Sequence, residues 1–161
     1  VHKIPYLGIC LGMQMAIVEF ARHVLGYEDA NSIELDPATK HPVIALMPDQ
    51  ESVEDLGGTL RLGSYPCVLA DSSRALELFG KKEIQERHRH RYEVNNAYRE
   101  ELAAKGMTIA GTSPDGHIVE MIEIKDHPFY EGTQGHPEFK SRPDRPQPLF
   151  VGLIKNAKNR M

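Results

Sequence analysis

The sequence predicts an α/β domain: a mostly parallel central sheet with helices on its faces and an antiparallel insertion at one edge. Three observations carry this prediction. Apolar residues 4–9 run through a glycine-flanked turn into an amphipathic stretch, the strand–turn–helix unit of sheets covered by helices. Strand-like and helix-like segments then alternate to the end of the chain. Residues 57–70 interrupt that alternation with a Gly57-Gly58 turn and the alternating run Thr59-Leu60-Arg61-Leu62-Gly63.

In chain order, residues 4–9 are bounded by Pro and Gly and read as a short buried strand. A helix follows over 13–25, where Met13, Ala16, Ile17, Phe20, Ala21 and Val24 recur at helical spacing before Gly26. Residues 27–41 are polar and read as a long loop, and 43–47 form a strand ending at Pro48. The 59–63 run is expected to pair with Cys67-Val68-Leu69. Ser73 caps a short helix over 74–79 that Gly80 ends. Asn96 is the expected cap of a helix over 97–105. Strands over 107–110 and 118–124 flank Asp115-Gly116, a hairpin signal. A short strand over 129–134, a proline-containing loop over 141–148 and a helix over 149–159 complete the chain.

The composition excludes several classes. Of 161 residues, 40% are hydrophobic, enough to build a core. Nineteen Lys and Arg against 23 Asp and Glu leave a formal net charge of −4, which disfavours a general nucleic-acid binder. No apolar run approaches the ~20 residues of a membrane helix, and no secretory signal opens the chain. Two cysteines make no disulfide framework and fit a reducing, cytoplasmic setting.

Gly8-Ile9-Cys10-Leu11-Gly12 has the form Gly-x-nucleophile-x-Gly. Small flanking residues let a strand turn sharply into a helix and leave the side chain between them exposed. The helix N-terminus then favours the Cys10 thiolate, and the following backbone N–H can stabilise an oxyanion. Cys67 sits in an apolar run and reads as structural.

A thiol nucleophile needs a base, and the base needs an orienting group. In His136-Pro137-Glu138 an imidazole and a carboxylate lie two residues apart, which puts them on one face of extended backbone. A third stretch, Arg87-His88-Arg89-His90-Arg91-Tyr92-Glu93, splits by alternation into an arginine face and a His88/His90/Tyr92 face. The arginines fit a carboxylate or phosphate, or form a solvated basic strand. Zinc spacings are absent, so no metal site is assigned.

Gly8-Ile9-Cys10-Leu11-Gly12-Met13-Gln14, together with Gln134-Gly135-His136-Pro137-Glu138-Phe139, resembles the triad-type (class I) glutamine amidotransferases. Asn31-Ser32-Ile33-Glu34, the 57–63 run and the segment Glu86 through Asn95 narrow the resemblance to the glutaminase domain of the CTP synthase family. The resemblance spans nearly the whole chain. It implies a flavodoxin-like three-layer fold and one partial glutaminase domain over 1–161, without the fold's first strands. It also implies that Cys10 attacks the glutamine carboxamide to form a glutamyl thioester, that His136 relays protons, and that Glu138 orients His136. Glutamine contacts are implied at Leu11, Gly12, Met13, Gln14, Glu34 and Arg91.

By the same resemblance, the domain itself needs no cofactor. Ammonia passes to a synthetase domain of the same enzyme, where ATP and Mg²⁺ serve the amination of UTP to CTP and GTP activates. The parent enzyme is expected to be a cytoplasmic homo-oligomer. The family commonly has an aromatic residue before the catalytic histidine, where this chain has Gly135, expected to free the backbone there. The family's glycine-rich oxyanion loop is expected in chain preceding residue 1. Other readings are the glutaminase subunit of another amidotransferase, a γ-glutamyl peptidase, and a non-catalytic regulatory domain of this fold.

Overall fold

The computed structural model describes residues 2–46 and 60–159. Strand β1 (Tyr6–Ile9) runs through Cys10 into helix α1 (Leu11–Phe20). A π-helical stretch, Ala21–Leu25, extends the helix to Gly26, whose left-handed φ of 82° ends it. The predicted apolar stripe is buried at Met13, Ala16, Ile17, Phe20 and Ala21, but Val24 at its far end is exposed. Strands β2 (Asn31–Ser32) and β3 (Pro42–Ala45) come next, so the expected 27–41 loop contains a short strand. The Gly57-Gly58 turn lies outside the described residues.

Strand β4 (Arg61–Leu69) corrects one expectation. The 59–63 and 67–69 segments do not pair with each other; residues 61–63 and 67–69 belong to one strand. Its partner is β5 (Glu83–His90), antiparallel from Arg61↔His90 to Val68↔Glu83. Helix α2 (Arg74–Phe79) between them is capped as expected: the Ser73 hydroxyl accepts the Leu76 N–H at 3.1 Å, and Gly80 takes φ 65°.

After β6 (Glu93–Val94), a 3₁₀ turn (Asn96–Tyr98) leads into α3 (Arg99–Ala104). The cap here is Asn95, not Asn96. The Asn95 side chain accepts the Ala97 N–H, whereas the Asn96 amide donates to the His117 carbonyl. Strands β7 (Met107–Thr112) and β8 (Val119–Ile124) form the expected hairpin across Asp115-Gly116. Strand β9 (Tyr130–Thr133) and helix α4 (Pro148–Lys158) follow.

The main sheet has the order β1-β9-β8-β7-β4-β5, and β2-β3-β6 forms a small second sheet. The main sheet is mixed rather than mostly parallel: among its described strands only β1 and β9 pair in parallel, the other neighbours being antiparallel. The links 113–118 and 125–129 are too short for a crossover, so they join antiparallel neighbours. Helices cover both faces, giving three layers. Buried Met13, Ile17, Phe20 and Leu102 from α1 and α3 pack with Met107 and Ile122 on one face. Ala75 and Leu149 from α2 and α4 pack with Leu69, Ala110 and Met121 on the other. Neighbours Met121 and Ile122 point to opposite layers, as strand alternation requires.

Candidate active site

Cys10 occupies the turn between β1 and α1 with φ 50° and ψ −106°, backbone that a non-glycine residue rarely adopts. The surroundings enforce it. Its N–H donates to the Thr133 carbonyl at 2.8 Å, and its carbonyl accepts the Gln14 N–H at 3.2 Å. The two flanking glycines are unequal. A Cβ on Gly8 would meet the Gly12 carbonyl carbon and oxygen at 2.7 Å, so only glycine fits. A Cβ on Gly12 would meet nothing nearer than the Tyr6 hydroxyl at 3.8 Å, an ordinary contact.

The Cys10 sulfur is half-buried, and burial pushes its thiol up. The Leu11 N–H and the Gln134 carboxamide pull it down without reversing that. The start of the helix acts as expected through the Leu11 N–H, but desolvation opposes it and leaves the thiol raised. Cys67 is 1% exposed, and burial raises its thiol far more strongly.

His136 follows β9, the strand that runs parallel to β1 in the register Ile9↔Thr133. Cys10 and His136 thus leave the same end of one parallel pair. The imidazole Nδ1 lies 2.6 Å from Glu138 Oε1, and the ring stacks on Phe139 with centroids 5.1 Å apart. Its Nε2 is buried and has no hydrogen-bond partner among the described residues. Its backbone N–H donates to the Arg87 carbonyl at 2.7 Å. Gly135 is also a position of close approach. A Cβ there would lie 2.8 Å from Glu86 Cβ, because β5 crosses directly against it.

A cleft of about 380 Å³ opens beside Cys10, lined by Leu11, Gln14, Glu34, Arg91 and others. Four of the six expected glutamine contacts therefore face it. Met13 does not: it is fully buried in the core, where its Cγ would be 2.7 Å from a Cβ on Gly132. Gly12 does not line the cleft either, and its carbonyl accepts the Tyr6 hydroxyl at 2.8 Å. The Ser32 hydroxyl accepts the Glu34 N–H at 3.3 Å, which helps hold the loop carrying Glu34.

Strand β5 realises the predicted alternation. Arg87 and Arg89 are exposed, whereas His88 and His90 are buried. The histidines join a buried ionic cluster in which Arg61 Nη2 donates to Glu120 Oε1 at 2.9 Å and Arg61 Nη1 lies 3.6 Å from Glu93 Oε1. Burial and the Arg61 charge pull both histidines down to about 3, so they are neutral, with Nδ1 of His88 2.8 Å from Nε2 of His90. Burial pushes Glu93 up to about 8, against the pull of Arg61. Among the described residues no group of three or more His, Cys, Asp or Glu side chains is arranged to hold a metal ion.

Sequence reasoning missed Gln134, whose side chain reaches the sulfur, and missed Leu60, His90 and Tyr92 as cleft walls, whereas Arg89, from the arginine face expected to suit an anion, does line it. Alternation could have found Gln134, which sits two residues before His136. Nothing local marks Leu60.

A family model described as "Glutamine amidotransferase class-I" matches residues 1–156. The chain is similar to the CTP synthase of Moorella thermoacetica, 62% identical over 156 residues, which are 97% of this chain and 29% of that protein. The CTP synthase of Clostridium beijerinckii is 59% identical over the same length and shares. This chain thus spans about 29% of the length of these curated relatives. The Trypanosoma brucei CTPS glutaminase domain, solved with bound acivicin, superposes with a TM-score of 0.91 at 34% identity, covering 98% of this chain and 61% of that one. The family match takes in both the cysteine elbow and the His136–Glu138 pair, and the chain belongs to the class-I glutamine amidotransferase family.

Proposed function

We propose that this domain hydrolyses glutamine to glutamate and ammonia, with Cys10 as nucleophile, His136 as proton relay and Glu138 as its orienting group. One observation carries the assignment. Glu138 engages His136 Nδ1 at 2.6 Å and leaves Nε2 free, at the same end of the parallel β1–β9 pair as Cys10. The similarity to a CTPS glutaminase domain with bound acivicin supports it.

In this reading the side-chain carboxamide of glutamine enters the cleft beside Cys10. His136 Nε2 takes the thiol proton as sulfur attacks the carbonyl carbon. The Leu11 N–H, at the start of α1, faces the developing oxyanion. The C–N bond breaks as His136 returns the proton to departing ammonia, leaving a glutamyl thioester. His136 then activates water, the thioester is hydrolysed, and glutamate leaves. Glu34 is suited to the substrate's α-ammonium and Arg91 to its α-carboxylate. Both line the cleft, and the buried Arg91 Nε has no partner among the described residues.

We further propose that the ammonia serves amination of UTP to CTP in a longer, cytoplasmic and oligomeric enzyme, because the similar curated proteins are CTP synthases. There ATP and Mg²⁺ would act in the synthetase domain and GTP as activator. The hydrolytic steps above use this chain's own side chains. Among the described residues no helix is long and apolar enough to cross a membrane.

The test is glutamine-dependent and ammonium-dependent CTP formation by the full-length protein. Cys10→Ala should abolish the first and spare the second. Arg91→Ala should raise KM for glutamine. Undiminished glutamine hydrolysis by Cys10→Ala would overturn the assignment.

A further inference from the structure

We infer that Gln134 is a further catalytic residue: its carboxamide N–H donates to the Cys10 sulfur, in an orientation imposed by Gln14 and the Tyr92 carbonyl. The inference rests on the reading of Cys10 as nucleophile.

Gln134 is fully buried immediately after β9, where its backbone N–H donates to the Glu120 carbonyl at 2.8 Å. Its side-chain Nε2 lies 3.6 Å from Cys10 Sγ. Its Oε1 accepts from Gln14 Nε2 at 3.2 Å, and the same Gln14 nitrogen donates to the Tyr92 carbonyl at 3.0 Å. Each amide has two ends, and the relay allows one arrangement of both. A backbone carbonyl only accepts, so Gln14 must present its NH₂ to Tyr92. That NH₂ also faces Gln134, so Gln134 must answer with oxygen. Its own NH₂ then points at sulfur. Reversing either amide would bring like poles together in a buried setting, leaving donors or acceptors unmet.

The sulfur has a second neighbour of opposite character. The Arg89 carbonyl lies 4.0 Å away, where it accepts from the thiol S–H. Once the proton leaves, that oxygen faces an anion, while the Gln134 N–H becomes a charge-assisted donor. Gln134 therefore favours thiolate over thiol, in opposition to burial, and does so beside the Leu11 N–H. Gln14 acts through Gln134 and is a positioning residue, as well as a wall of the cleft.

The experiment is the pH dependence of iodoacetamide alkylation at Cys10 in the full-length protein, read by peptide mapping, for Gln134→Leu and the near-isosteric Gln134→Glu. Losing the donor should raise the alkylation midpoint by about one pH unit in Gln134→Leu. It should rise further in Gln134→Glu, where a carboxylate faces the thiolate. Glutaminase kcat/KM should fall mainly on the acidic limb, with little change in KM. Gln14→Leu, which leaves Gln134 in place but unoriented, should give a smaller rise. Unmoved midpoints in Gln134 variants that keep the unsubstituted protein's circular dichroism would overturn this inference and leave the nucleophile assignment standing. No alkylation of Cys10 in the unsubstituted protein would instead overturn the nucleophile reading, and this inference with it.

Discussion

Gly8 lies against the backbone of Gly12 so closely that a Cβ on Gly8 would sit 2.7 Å from the Gly12 carbonyl carbon and oxygen, whereas Gly12 has room for one. The pair brackets Cys10, so this asymmetry separates the two glycines by experiment. Gly8→Ala should destabilise the fold by about 1–3 kcal/mol through overpacking. It should also lower glutaminase kcat at least tenfold by shifting the elbow. Gly12→Ala sits in a helix and should leave the melting temperature nearly unchanged. Thermal melts of both variants check this. Equal destabilisation would show that the close approach is not what selects glycine.

Gly135 makes a second close approach, to Glu86 of β5. Gly135→Phe should push β5 away and weaken the bond from the His136 N–H to the Arg87 carbonyl. The expected outcome is a lower kcat for glutamine together with lower stability, measured by steady-state kinetics and urea unfolding. Full activity in that variant would mean that the two segments can part without disturbing His136.

Arg61 neutralises Glu120 and faces Glu93, both of them buried. Arg61→Met removes the positive charge from this cluster and should destabilise by about 3–5 kcal/mol, the usual cost of breaking a buried ion pair. Urea midpoints should recover partly at low pH, where Glu120, left without its partner, takes up a proton; Glu93, raised to about 8 even beside Arg61, already holds one.

Glu131 is fully buried on β9. Burial and neighbouring Glu123 push its carboxyl up to about 8 from an ordinary 4.5, despite the Arg74 ion pair. Between these values the folded protein holds a proton that the unfolded chain has released. Its contribution to stability is therefore complete below about 4.5, falls as pH rises, and is lost above about 8. Glu131→Gln should flatten the decline in melting temperature between pH 6 and 9. It should not abolish it, because Glu93 is raised to a similar value. An unchanged slope would show that Glu131 is already ionised at pH 6.

Much of the site was legible because its signals are local. The Gly-x-Cys-x-Gly spacing anticipates the elbow, and His136 and Glu138 do meet, although a 3₁₀ turn over Pro137–Phe139 rather than extended backbone brings them together. Ser73 and Gly80 bound α2 for the same reason: a cap bonds to atoms within one turn. The failures involve partners that are not local. Residues 59–63 and 67–69 read as two segments paired with each other, yet pairing with β5 carries one strand from Arg61 to Leu69. Asn96 looked like a cap until His117, across a loop, took its amide. Met13 follows the elbow in sequence, but the turn of α1 points it into the core rather than the cleft.

By itself the sequence determined the elbow, the imidazole–carboxylate pair, the alternating β5 faces and the helix ends, because each depends on backbone geometry over a few residues. Tertiary structure decided how the sulfur is treated. It buried Cys10 enough to raise its thiol, set Gln134 from far along the chain against it, and packed β5 onto Gly135. It also joined Arg61, Glu93 and Glu120 in one buried cluster. Proton affinity depends on desolvation and on nearby dipoles, and these exist only after distant strands meet.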